Sequence, residues 1–302
     1  HFSFQGIPFQ IGNLKQLQYL YLASNTLSGV IPSQIGNLPL LHTLRLVGNF
    51  DVKDMDAELF SGLRSLTILE LSSLRNLSAS HHLLQTISKL IPNFIELRLV
   101  ACSLSDADVK ALFSSHFKFS TSLTILDLSS IVLTSSTFQL LINFSLHLQE
   151  LYLSHNNIAL SSSLYPNFPS LKILDFSFNT LTSSIFRGNF NFGSKLQELH
   201  LQNCSLIDRS FLISSASTVN SSSSLLYLDL SNNFLKSSAI FYWLFNFSAN
   251  LQSLDLHHNF LEGPIPDGFG KVMNSLQLLD LSSNKPQGKI PSFFGNMCTL
   301  QS

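Results

Sequence analysis

The sequence has few charged residues, few cysteines and no long hydrophobic run. Only 12% of its 302 residues are Asp, Glu, Lys or Arg, against about 25% in typical soluble domains. The net charge of −1 gives no electrostatic basis for binding nucleic acid or an anionic membrane. No run of 18 apolar residues occurs, which excludes a transmembrane helix within this sequence. Because serine and asparagine supply the polar surface, the composition favours an extracellular glycoprotein over a cytosolic enzyme.

The most informative feature is an internal repeat. The pattern Leu-x-x-Leu-x-Leu-x-x-Asn recurs eleven times, with 23 to 29 residues between successive closing positions. Those closing positions are Asn25, Asn49, Leu74, Cys102, Ile131, Asn156, Asn179, Cys204, Asn233, Asn259 and Asn284. A short period that is kept throughout a chain indicates a repeat architecture rather than a globular catalytic domain.

The leucine spacing predicts a strand in each repeat. Leu20 and Leu22 point to one face of an extended segment, and Tyr21 points to the other. One such strand cannot bury its leucines alone, so the repeats are expected to stack into a parallel sheet over a continuous core. The sequence therefore predicts a curved solenoid with an exposed inner sheet face.

The closing position of each repeat is expected to hold the turn after the strand. An asparagine amide can both donate to and accept from the backbone groups that leave the sheet there. Leu74 and Ile131 cannot do this, and Cys102 does so only weakly. We therefore expect a locally distorted and more mobile stretch around residues 74 to 131.

Two inserted segments between strands are predicted to be helices. In the stretch SDADVKALFSSHF, Ser105 or Asp106 is a suitable N-cap, and apolar residues follow at helical spacing. The stretch SSAIFYWLFNF, residues 237 to 247, is apolar on nearly all sides. We expect this second helix to pack inward against its neighbours.

A second motif carries a family resemblance. Gly-x-Ile-Pro occurs at Gly29 to Pro32, Gly263 to Pro266 and Gly288 to Pro291, and IGNL occurs twice near the amino terminus. Together with the leucine pattern, this resembles the plant-type leucine-rich repeat of cell-surface receptors and secreted inhibitor proteins. The resemblance implies an α/β solenoid: a right-handed leucine-rich-repeat superhelix with a concave parallel β-sheet and about eleven repeats.

The chain ends and the cysteines indicate a piece of a longer protein. We expect one leucine-rich-repeat domain over residues 1–302 that starts and ends within a repeat and has no caps. Cys102 and Cys204 lie four repeats apart, about 19 Å at the strand spacing, which is too far for a disulfide. Cys298 is free to pair with a segment outside this sequence.

Five Asn-x-Ser/Thr sequons are candidate glycosylation sites. They are Asn76, Asn143, Asn203, Asn220 and Asn246. Sites at Asn143, Asn220 and Asn246 are expected on the outer side, whereas Asn203 precedes a closing position at the edge of the concave face. The tripeptide is short, and a serine-rich chain also produces it by chance.

Candidate contact residues are those that face outward from the sheet. The residue between the paired leucines is an aspartate in five of the eleven repeats, which we interpret as a solvated default of the family. Aromatic, arginine and histidine side chains that depart from this default have the composition of a recognition surface. The predicted ligand-binding residues are Tyr19, Tyr21, Arg45, Arg98, Tyr152, His155, Phe178 and His200.

Catalytic and metal motifs are not predicted. No Gly-x-Ser-x-Gly nucleophile elbow occurs, so the chain is expected not to be an enzyme. His257 and His258 beside Asp255 suggest zinc, but adjacent strand residues point to opposite sides, so we predict no metal there. The acidic run DVKDMDAE lacks the glycine and spacing of a calcium loop, and no cofactor is predicted.

The resemblance also implies a function. We expect ligand or protein recognition by the ectodomain of a plant receptor-like protein or receptor-like kinase in defence or developmental signalling. The ligand would be a peptide, glycan or protein, a co-receptor kinase is a further expected partner, and the location would be the extracellular side of the plasma membrane. The alternative is a leucine-rich-repeat protein secreted to the cell wall that inhibits a microbial cell-wall-degrading enzyme.

Overall fold

The computed structural model describes residues 6–22, 28–50, 58–74, 77–79, 81–114, 122–142, 147–160, 168–181, 195–211, 224–245 and 250–288. The chain divides into two compact units, His1–Leu140 and Leu141–Ser302. The closing position Asn25, the acidic run from residue 51 to 57, and both chain ends lie outside the described residues. The predictions about incomplete terminal repeats and about Cys298 therefore stay predictions.

The first unit alternates short strands with short helices. Its strands are β1 (Tyr19–Tyr21), β2 (Ser28–Gly29), β3 (Thr43–Val47), β4 (Asn49–Phe50), β5 (Ile68–Ser72), β6 (Glu96–Arg98) and β7 (Ile125–Asp127). Its α-helices are α1 (Glu58–Ser61), α2 (His81–Leu90), α3 (Asp106–Ser114) and α4 (Ser135–Ile142), the last of which contains the unit boundary. Short 3-10 helices occupy Phe9–Asn13, Ser33–Asn37, Leu77–Ala79 and Ile91–Asn93.

The second unit repeats this arrangement with fewer helices. Its strands are β8 (Glu150–Tyr152), β9 (Ala159–Leu160), β10 (Ile173–Asp175), β11 (Thr180–Leu181), β12 (Glu198–His200), β13 (Tyr227–Asp229), β14 (Ser253–Asp255), β15 (Glu262–Gly263), β16 (Leu278–Asp280) and β17 (Lys285–Pro286). Its helices are α5 (Ala239–Leu244), α6 (Phe269–Val272) and a 3-10 turn at Asp208–Phe211.

The strands that carry the leucine pattern form parallel sheet in chain order. Among the described residues there are eleven such strands: β1, β3, β5, β6 and β7 in the first unit, and β8, β10, β12, β13, β14 and β16 in the second. Equivalent positions lie side by side, as where Leu228 pairs with Leu254 and Asp229 with Asp255. This parallel sheet, with one strand per repeat, confirms the predicted leucine-rich-repeat fold.

Leucine burial holds each strand in place. Leu41, Leu44 and Leu46 are fully buried in one repeat, and Leu251, Leu254 and Leu256 in another. Each fully buried leucine contributes about 1.5–3 kcal/mol. Because strand side chains alternate between faces, burying the leucines leaves the residues between them on the opposite face.

Asparagines close the turns of the second unit with a ladder of hydrogen bonds. The Asn233 amide nitrogen donates to the carbonyls of Leu201 and Leu230, both at 2.9 Å. Its amide oxygen accepts from the N–H groups of Cys204 at 2.9 Å and Leu206 at 3.0 Å. The same links between successive repeats are made by Asn179, Asn259 and Asn284. The predicted role of the closing amide is confirmed.

Where the closing residue is not asparagine, the backbone takes over part of this role. The Cys204 thiol donates to the carbonyl of Phe176 at 3.2 Å, but a thiol offers no amide oxygen. The N–H of Leu181 instead donates to the backbone carbonyl of Cys204 at 2.9 Å. Ser205 has a φ of 59°, as expected if the peptide between Cys204 and Ser205 is turned to present that carbonyl.

The same positive φ follows two other closing residues that lack an amide, Cys102 and Ile131. Ser103 after Cys102 has a φ of 53°, and Val132 after Ile131 has a φ of 62°. Among the described residues, none directly after a closing asparagine has a positive φ. The distortion expected between residues 74 and 131 therefore takes this form. The positive φ depends on the type of the closing residue and not on the stretch from 74 to 131, because Ser205, which lies outside that stretch, has it as well. The expected mobility stays a prediction.

Buried thiols satisfy the closing position without redox chemistry. Cys102 and Cys204 are both free and fully buried, as predicted. The Cys102 thiol donates to the carbonyl of Leu71 at 2.8 Å. Burial raises the pKa of each thiol to about 12, so neither is a nucleophile at neutral pH.

Glycine permits close backbone contact between successive repeats of the first unit. A Cβ atom on Gly36 would lie 2.5 Å from the carbonyl oxygen of Leu59, and one on Gly62 would lie 2.1 Å from that of Gly36. Only glycine fits at these positions. This contact explains the glycine of the second IGNL segment.

The Gly-x-Ile-Pro segments add short strand pairs beside the turns. Strand β2 pairs with β4, and β15 pairs with β17, both in parallel. Gly29 and Gly263 have φ values of 95° and 87°, a region that side chains with a Cβ rarely adopt. The leucine pattern alone did not predict these extra strands.

Both helices predicted from the sequence are present. Helix α3 begins after Ser105, whose hydroxyl lies 3.4 Å from the N–H of Asp108, while the Asp108 carboxylate accepts from the Ser105 N–H at 2.8 Å. This reciprocal pair is a capping box. In α5, the ring of Trp243 packs edge-on against Phe211 with 4.7 Å between centroids, but Tyr242 is exposed.

Candidate ligand-binding face

The outward side chains of the strands and of the turns that follow them form what we call the strand face. In the first unit these are Tyr19, Tyr21, Arg45, Glu70, Glu96, Arg98 and Asp127. In the second unit they are Glu150, Tyr152, His155, Asp175, Phe178, Glu198, His200, Tyr227, Asp229, Asp255, His257 and Asp280. All eight predicted contact residues are among them.

Two tyrosines are the most exposed aromatic side chains of the first unit's strand face. Tyr19 is 57% and Tyr21 58% exposed, on either side of the buried Leu20. The guanidinium of Arg45 lies 5.8 Å from the centre of the Tyr21 ring. Such a cation–π contact restrains the ring and still leaves more than half of it open to a ligand.

The two predicted arginines are held within the protein by carboxylates. Arg45 makes 3.0 Å contacts with Glu70 and with Glu96. Arg98 contacts Glu96 at 2.6 Å and Asp127 at 3.1 Å. Burial lowers the pKa of Arg98, but the hydrogen bond and charge of Glu96, helped by Asp127, outweigh it and raise the pKa overall.

This charge network revises the expected role of the arginines. Their side chains are 31% and 21% exposed, so only part of each guanidinium is open to a ligand. Sequence reasoning missed Glu96, which is buried between the two arginines. The available signal was its position two residues before Arg98, which places both side chains on one strand face.

In the second unit, His155 and Phe178 form a stacked pair. Their ring centres are 3.9 Å apart and nearly parallel. Both residues immediately precede a closing asparagine and have positive φ values of 53° and 57°. Their N–H groups donate to the carbonyls of Ser177 and Gln202 in the next repeats. The backbone therefore presents two aromatic rings from a fixed turn.

Tyr152 and His200 each have a neighbour on the same strand face. The Tyr152 hydroxyl donates to Glu150 at 3.0 Å. The His200 ring lies 4.8 Å from the Tyr227 ring and 3.5 Å from the Glu198 carboxylate. These contacts orient both predicted side chains while leaving them partly exposed.

Carboxylates surround Tyr227. Burial is the largest cause that raises its pKa to about 12, and the charges of Asp229, Asp255 and Glu198 add to it. A phenol whose ionisation is opposed by several carboxylates reports a negative local potential. The strand face of the second unit is therefore acidic around Tyr227.

The recurring aspartates are structural as well as solvated. Asp127, Asp175, Asp229, Asp255 and Asp280 each accept a hydrogen bond, at 2.8 to 3.0 Å, from the N–H two residues further on. This contact fixes the chain as it leaves the strand. The expectation that these aspartates are merely solvated is wrong in this respect, because one oxygen of each is used internally.

Asp255, His257 and Asp280 lie together at one point of the strand face. One ligand atom from each lies within 4.8 Å of the others. The sequence argument against a metal assumed that adjacent histidines diverge along a strand, but β14 ends at Asp255. His257 therefore lies in the turn, and its Nδ1 is 2.7 Å from Asp255 Oδ1.

Only one of the five sequons can be placed. Asn203 is exposed, has a φ of 50° and donates its N–H to the carbonyl of Ser231. Asn76, Asn143, Asn220 and Asn246 lie outside the described residues. Glycosylation of all five stays a prediction.

Within the described residues, no helix has both the length and the apolar character needed to cross a bilayer.

Comparison with known proteins agrees with the repeat pattern. The family model of the leucine-rich repeat matches residues 16–38, 147–171, 250–272 and 275–297. A stretch of 100 residues, 33% of this chain, is 42% identical to receptor-like protein EIX1 of Solanum lycopersicum and covers 9% of that protein. The chain thus spans less than a tenth of this relative.

Solved structures share the fold. The ectodomain of the receptor kinase GASSHO1/SCHENGEN3 from Arabidopsis thaliana, in complex with CASPARIAN STRIP INTEGRITY FACTOR 2, aligns with 98% of this chain and 39% of its own, at 25% identity and a TM-score of 0.55. The leucine-rich-repeat protein LIC12759 of Leptospira interrogans aligns with 98% of this chain and 74% of its own, at 22% identity and a TM-score of 0.62. The second likeness concerns the fold alone. The chain therefore has the leucine-rich-repeat fold and, over a third of its length, is similar in sequence to a plant receptor-like protein.

Proposed function

We propose that the strand face recognises an extracellular peptide or protein ligand, and that the chain is part of the ectodomain of a plant cell-surface receptor in defence or developmental signalling. The homology to a tomato receptor-like protein supports the receptor class. The Arabidopsis neighbour, whose structure is a complex with CASPARIAN STRIP INTEGRITY FACTOR 2, supports recognition of a peptide or protein. A co-receptor kinase, and a place on the outer side of the plasma membrane, are parts of this proposal.

The observation that carries the proposal is a set of open aromatic side chains on rigid backbone. Tyr19 and Tyr21 flank a buried leucine, and His155 and Phe178 are stacked on hydrogen-bonded turns. Tyrosine and other large side chains dominate binding energy at interfaces. Because their positions are already fixed, little conformational entropy is lost when a ligand binds.

The arginines have a supporting role in this proposal. Arg45 holds the Tyr21 ring from one side while its charge is balanced by Glu70 and Glu96. A ligand group that meets Arg45 or Arg98 finds a guanidinium whose charge is already neutralised. We therefore expect a smaller loss of binding from changes at the arginines than from changes at the tyrosines.

The experiment uses a ligand recovered without prior assumption. Peptides from plant apoplastic fluid that are retained by the immobilised chain are sequenced, and the most enriched one is synthesised as the probe. Its affinity is then measured for the wild type, for the double variant Tyr19→Ala with Tyr21→Ala, and for His155→Ala with Phe178→Ala. Truncating a binding hot spot costs at least about 2 kcal/mol, or about thirtyfold in affinity.

The matched control is Tyr242→Ala. Tyr242 is 60% exposed, close to the 57% and 58% of Tyr19 and Tyr21, but it lies on helix α5. The proposal predicts that this variant binds within about twofold of the wild type. Wild-type affinity in both strand-face variants together with a loss in Tyr242→Ala would contradict it.

The same protein distinguishes a receptor from an inhibitor. A panel of microbial pectin-degrading enzymes is assayed with the chain in slight molar excess. The receptor proposal predicts unchanged enzyme activity. Stoichiometric inhibition that is lost in the strand-face variants would replace it with the inhibitor function.

A further inference from the structure

Two carboxylates and an imidazole converge at the end of strands β14 and β16. Asp255 and Asp280 are register partners on these neighbouring strands, and the His257 ring returns over Asp255. The side chains of His257 and Asp255 are 25% and 19% exposed. The three groups are therefore reachable from solvent but partly shielded by the protein.

The imidazole distinguishes this point from the equivalent points of other repeats. The residue two after the strand-face aspartate is Ser129, Ser177, Ser231 or Ser282 in the four other repeats that have this aspartate. Asp229 and Asp255 are also register partners, but Ser231 stands where this group has His257. Paired carboxylates therefore also occur at Asp229 and Asp255, but among the described residues it is the group of Asp255, His257 and Asp280 that brings two carboxylates and an imidazole nitrogen within 4.8 Å of one another.

The surrounding hydrogen bonds pre-orient the three ligands. Asp255 Oδ1 accepts from the N–H of His257, and Asp280 Oδ1 accepts from that of Ser282. The hydrogen bonds from Ser282 are the first cause that lowers the pKa of Asp280, and the charges of His257 and His258 add to it.

A residue outside the group holds the far side of the imidazole. The Asn232 amide lies 3.2 Å from His257 Nε2. A histidine that binds a metal through one nitrogen usually donates its other N–H to a fixed acceptor, which sets the tautomer. In the structure the amide nitrogen of Asn232 faces Nε2, and a 180° rotation of the same amide group would present its oxygen there as the acceptor.

We propose that Asp255, His257 and Asp280 form a binding site for a divalent transition metal ion, with Zn²⁺ as the best fit. Two carboxylates and one imidazole match the ligands that zinc takes in proteins. A nitrogen ligand disfavours Ca²⁺ and Mg²⁺, which select oxygen. The two negative charges balance the dication, and three protein ligands leave a coordination position open to solvent.

Binding at this site moves the proton of the imidazole. In the metal-free protein, His257 Nδ1 and Asp255 Oδ1 share one hydrogen bond. When the metal takes Nδ1, the proton of that nitrogen leaves to solvent and a proton from solvent adds to Nε2, so the imidazole stays neutral and Nε2–H is donated to the amide oxygen of Asn232. Because protons compete with the metal for the nitrogen and oxygen ligand atoms, the affinity should fall as the pH is lowered.

Calorimetric titration of the purified chain with Zn²⁺ tests the proposal, with Co²⁺ absorption as a second readout. The wild type is expected to bind one equivalent at this site. His257→Ala and Asp280→Asn should each weaken that equivalent by at least about tenfold, and Asn232→Ala by roughly 10–100-fold, the effect usual for a residue that supports a ligand.

The control is the neighbouring histidine. The rings of His257 and His258 are 5.1 Å apart, but His258 is not in the ligand group. His258→Ala should keep wild-type affinity and the wild-type Co²⁺ spectrum. Circular dichroism checks that each variant is folded. If His257→Ala does not fold, the zinc affinities of Asp280→Asn and Asn232→Ala test the proposal in its place. Failure of the wild type to bind one equivalent, or equal losses in His257→Ala and His258→Ala, would overturn the proposal.

Discussion

The two units differ in the residues at most of their closing positions: five of the six in the second unit are asparagines, whereas three of the four described ones in the first unit lack an amide. In the second unit, closing asparagines link repeat to repeat through donors and acceptors on one side chain. In the first unit, the closing positions Leu74, Cys102 and Ile131 are apolar or carry a thiol, and positive φ values follow Cys102 and Ile131. At Cys204, where the Leu181 N–H donates to a backbone carbonyl, the repeat tolerates loss of the amide because the backbone presents a carbonyl in its place.

The strand faces of the two units also differ. In the first, the arginines and the three described acids next to them neutralise one another. In the second, each aspartate uses one oxygen for a backbone N–H, and among the described residues none of these aspartates forms an ion pair with an arginine or lysine. Charge in the first unit therefore serves mainly to hold the structure, whereas charge in the second remains available to a metal or a ligand.

The largest expected effect is at a closing asparagine. Asn233→Ala leaves the buried N–H groups of Cys204 and Leu206 without their acceptor. Each costs about 1–3 kcal/mol, so the free energy of unfolding should fall by about 3 kcal/mol in urea titrations. Asn157→Ala, at an exposed neighbour of a closing asparagine, should change it by less than about 0.5 kcal/mol. Equal effects would mean that the ladder does not stabilise the second unit.

Removing the central carboxylate of the first unit should have a smaller effect. Glu96→Gln removes the negative charge that two partly exposed arginines share and replaces one accepting oxygen with an NH2 donor, and we expect a loss of about 2 kcal/mol, below that of a fully buried pair. In the second unit, Glu198→Gln is the control, since Glu198 is 44% exposed and 3.5 Å from His200. Its cost should be below about 0.5 kcal/mol. The contrast between the strand faces fails if the two variants lose the same stability.

Relief of backbone strain should stabilise the first unit slightly. Val132 combines a φ of 62° with 60% exposure, so its side chain contributes little burial. A β-branched residue in the left-handed region of φ and ψ lowers stability by about 1–2 kcal/mol. Replacing it with glycine recovers only part of this stability, because glycine has more conformational freedom in the unfolded chain. Val132→Gly should therefore raise the free energy of unfolding by about 0.5–1 kcal/mol, whereas Val30→Gly, at an exposed valine without positive φ, should lower it. A loss in both variants would show that Val132 is not strained.

Of the four changes, ionisation of the Tyr227 phenol at high pH should alter the free energy of unfolding least. Because its folded pKa of about 12 is above the ordinary value near 10, its contribution is complete below about pH 10 and is lost as the pH rises towards 12. The difference in phenolate absorption between the wild type and Tyr227→Phe should show the late titration. Asp229→Asn should move it to lower pH. No movement would mean that the carboxylates do not set the potential of this face.

The leucine spacing predicted the strands, their parallel order and the exposed face, because burial of Leu44 or Leu254 depends only on local alternation. The helix start at Ser105 was also predictable, since a cap and its partner lie three residues apart. The strand pairs that involve Gly29 and Gly263 were missed because they form only between adjacent repeats.

The charges and turns were harder to predict. The pairing of Arg45 with Glu96 spans two repeats and depends on side-chain reach across three strands. The turned peptide after Cys204 gives the Leu181 N–H of the preceding repeat an acceptor, because Cys204 has no amide oxygen. This need involves two repeats and cannot be seen in the sequence of one. The position of His257 was missed because the strand was expected to continue past Asp255.

The central claim of this comparison is that a turned peptide replaces a missing closing amide. The most direct test is a crystal structure of the Cys204→Asn variant, examined at Ser205 and Leu181. The account predicts that the φ of Ser205 becomes negative and that the Leu181 N–H is donated to the new side-chain oxygen. A structure in which Ser205 keeps its positive φ and Leu181 still donates to the backbone carbonyl of residue 204 would contradict it.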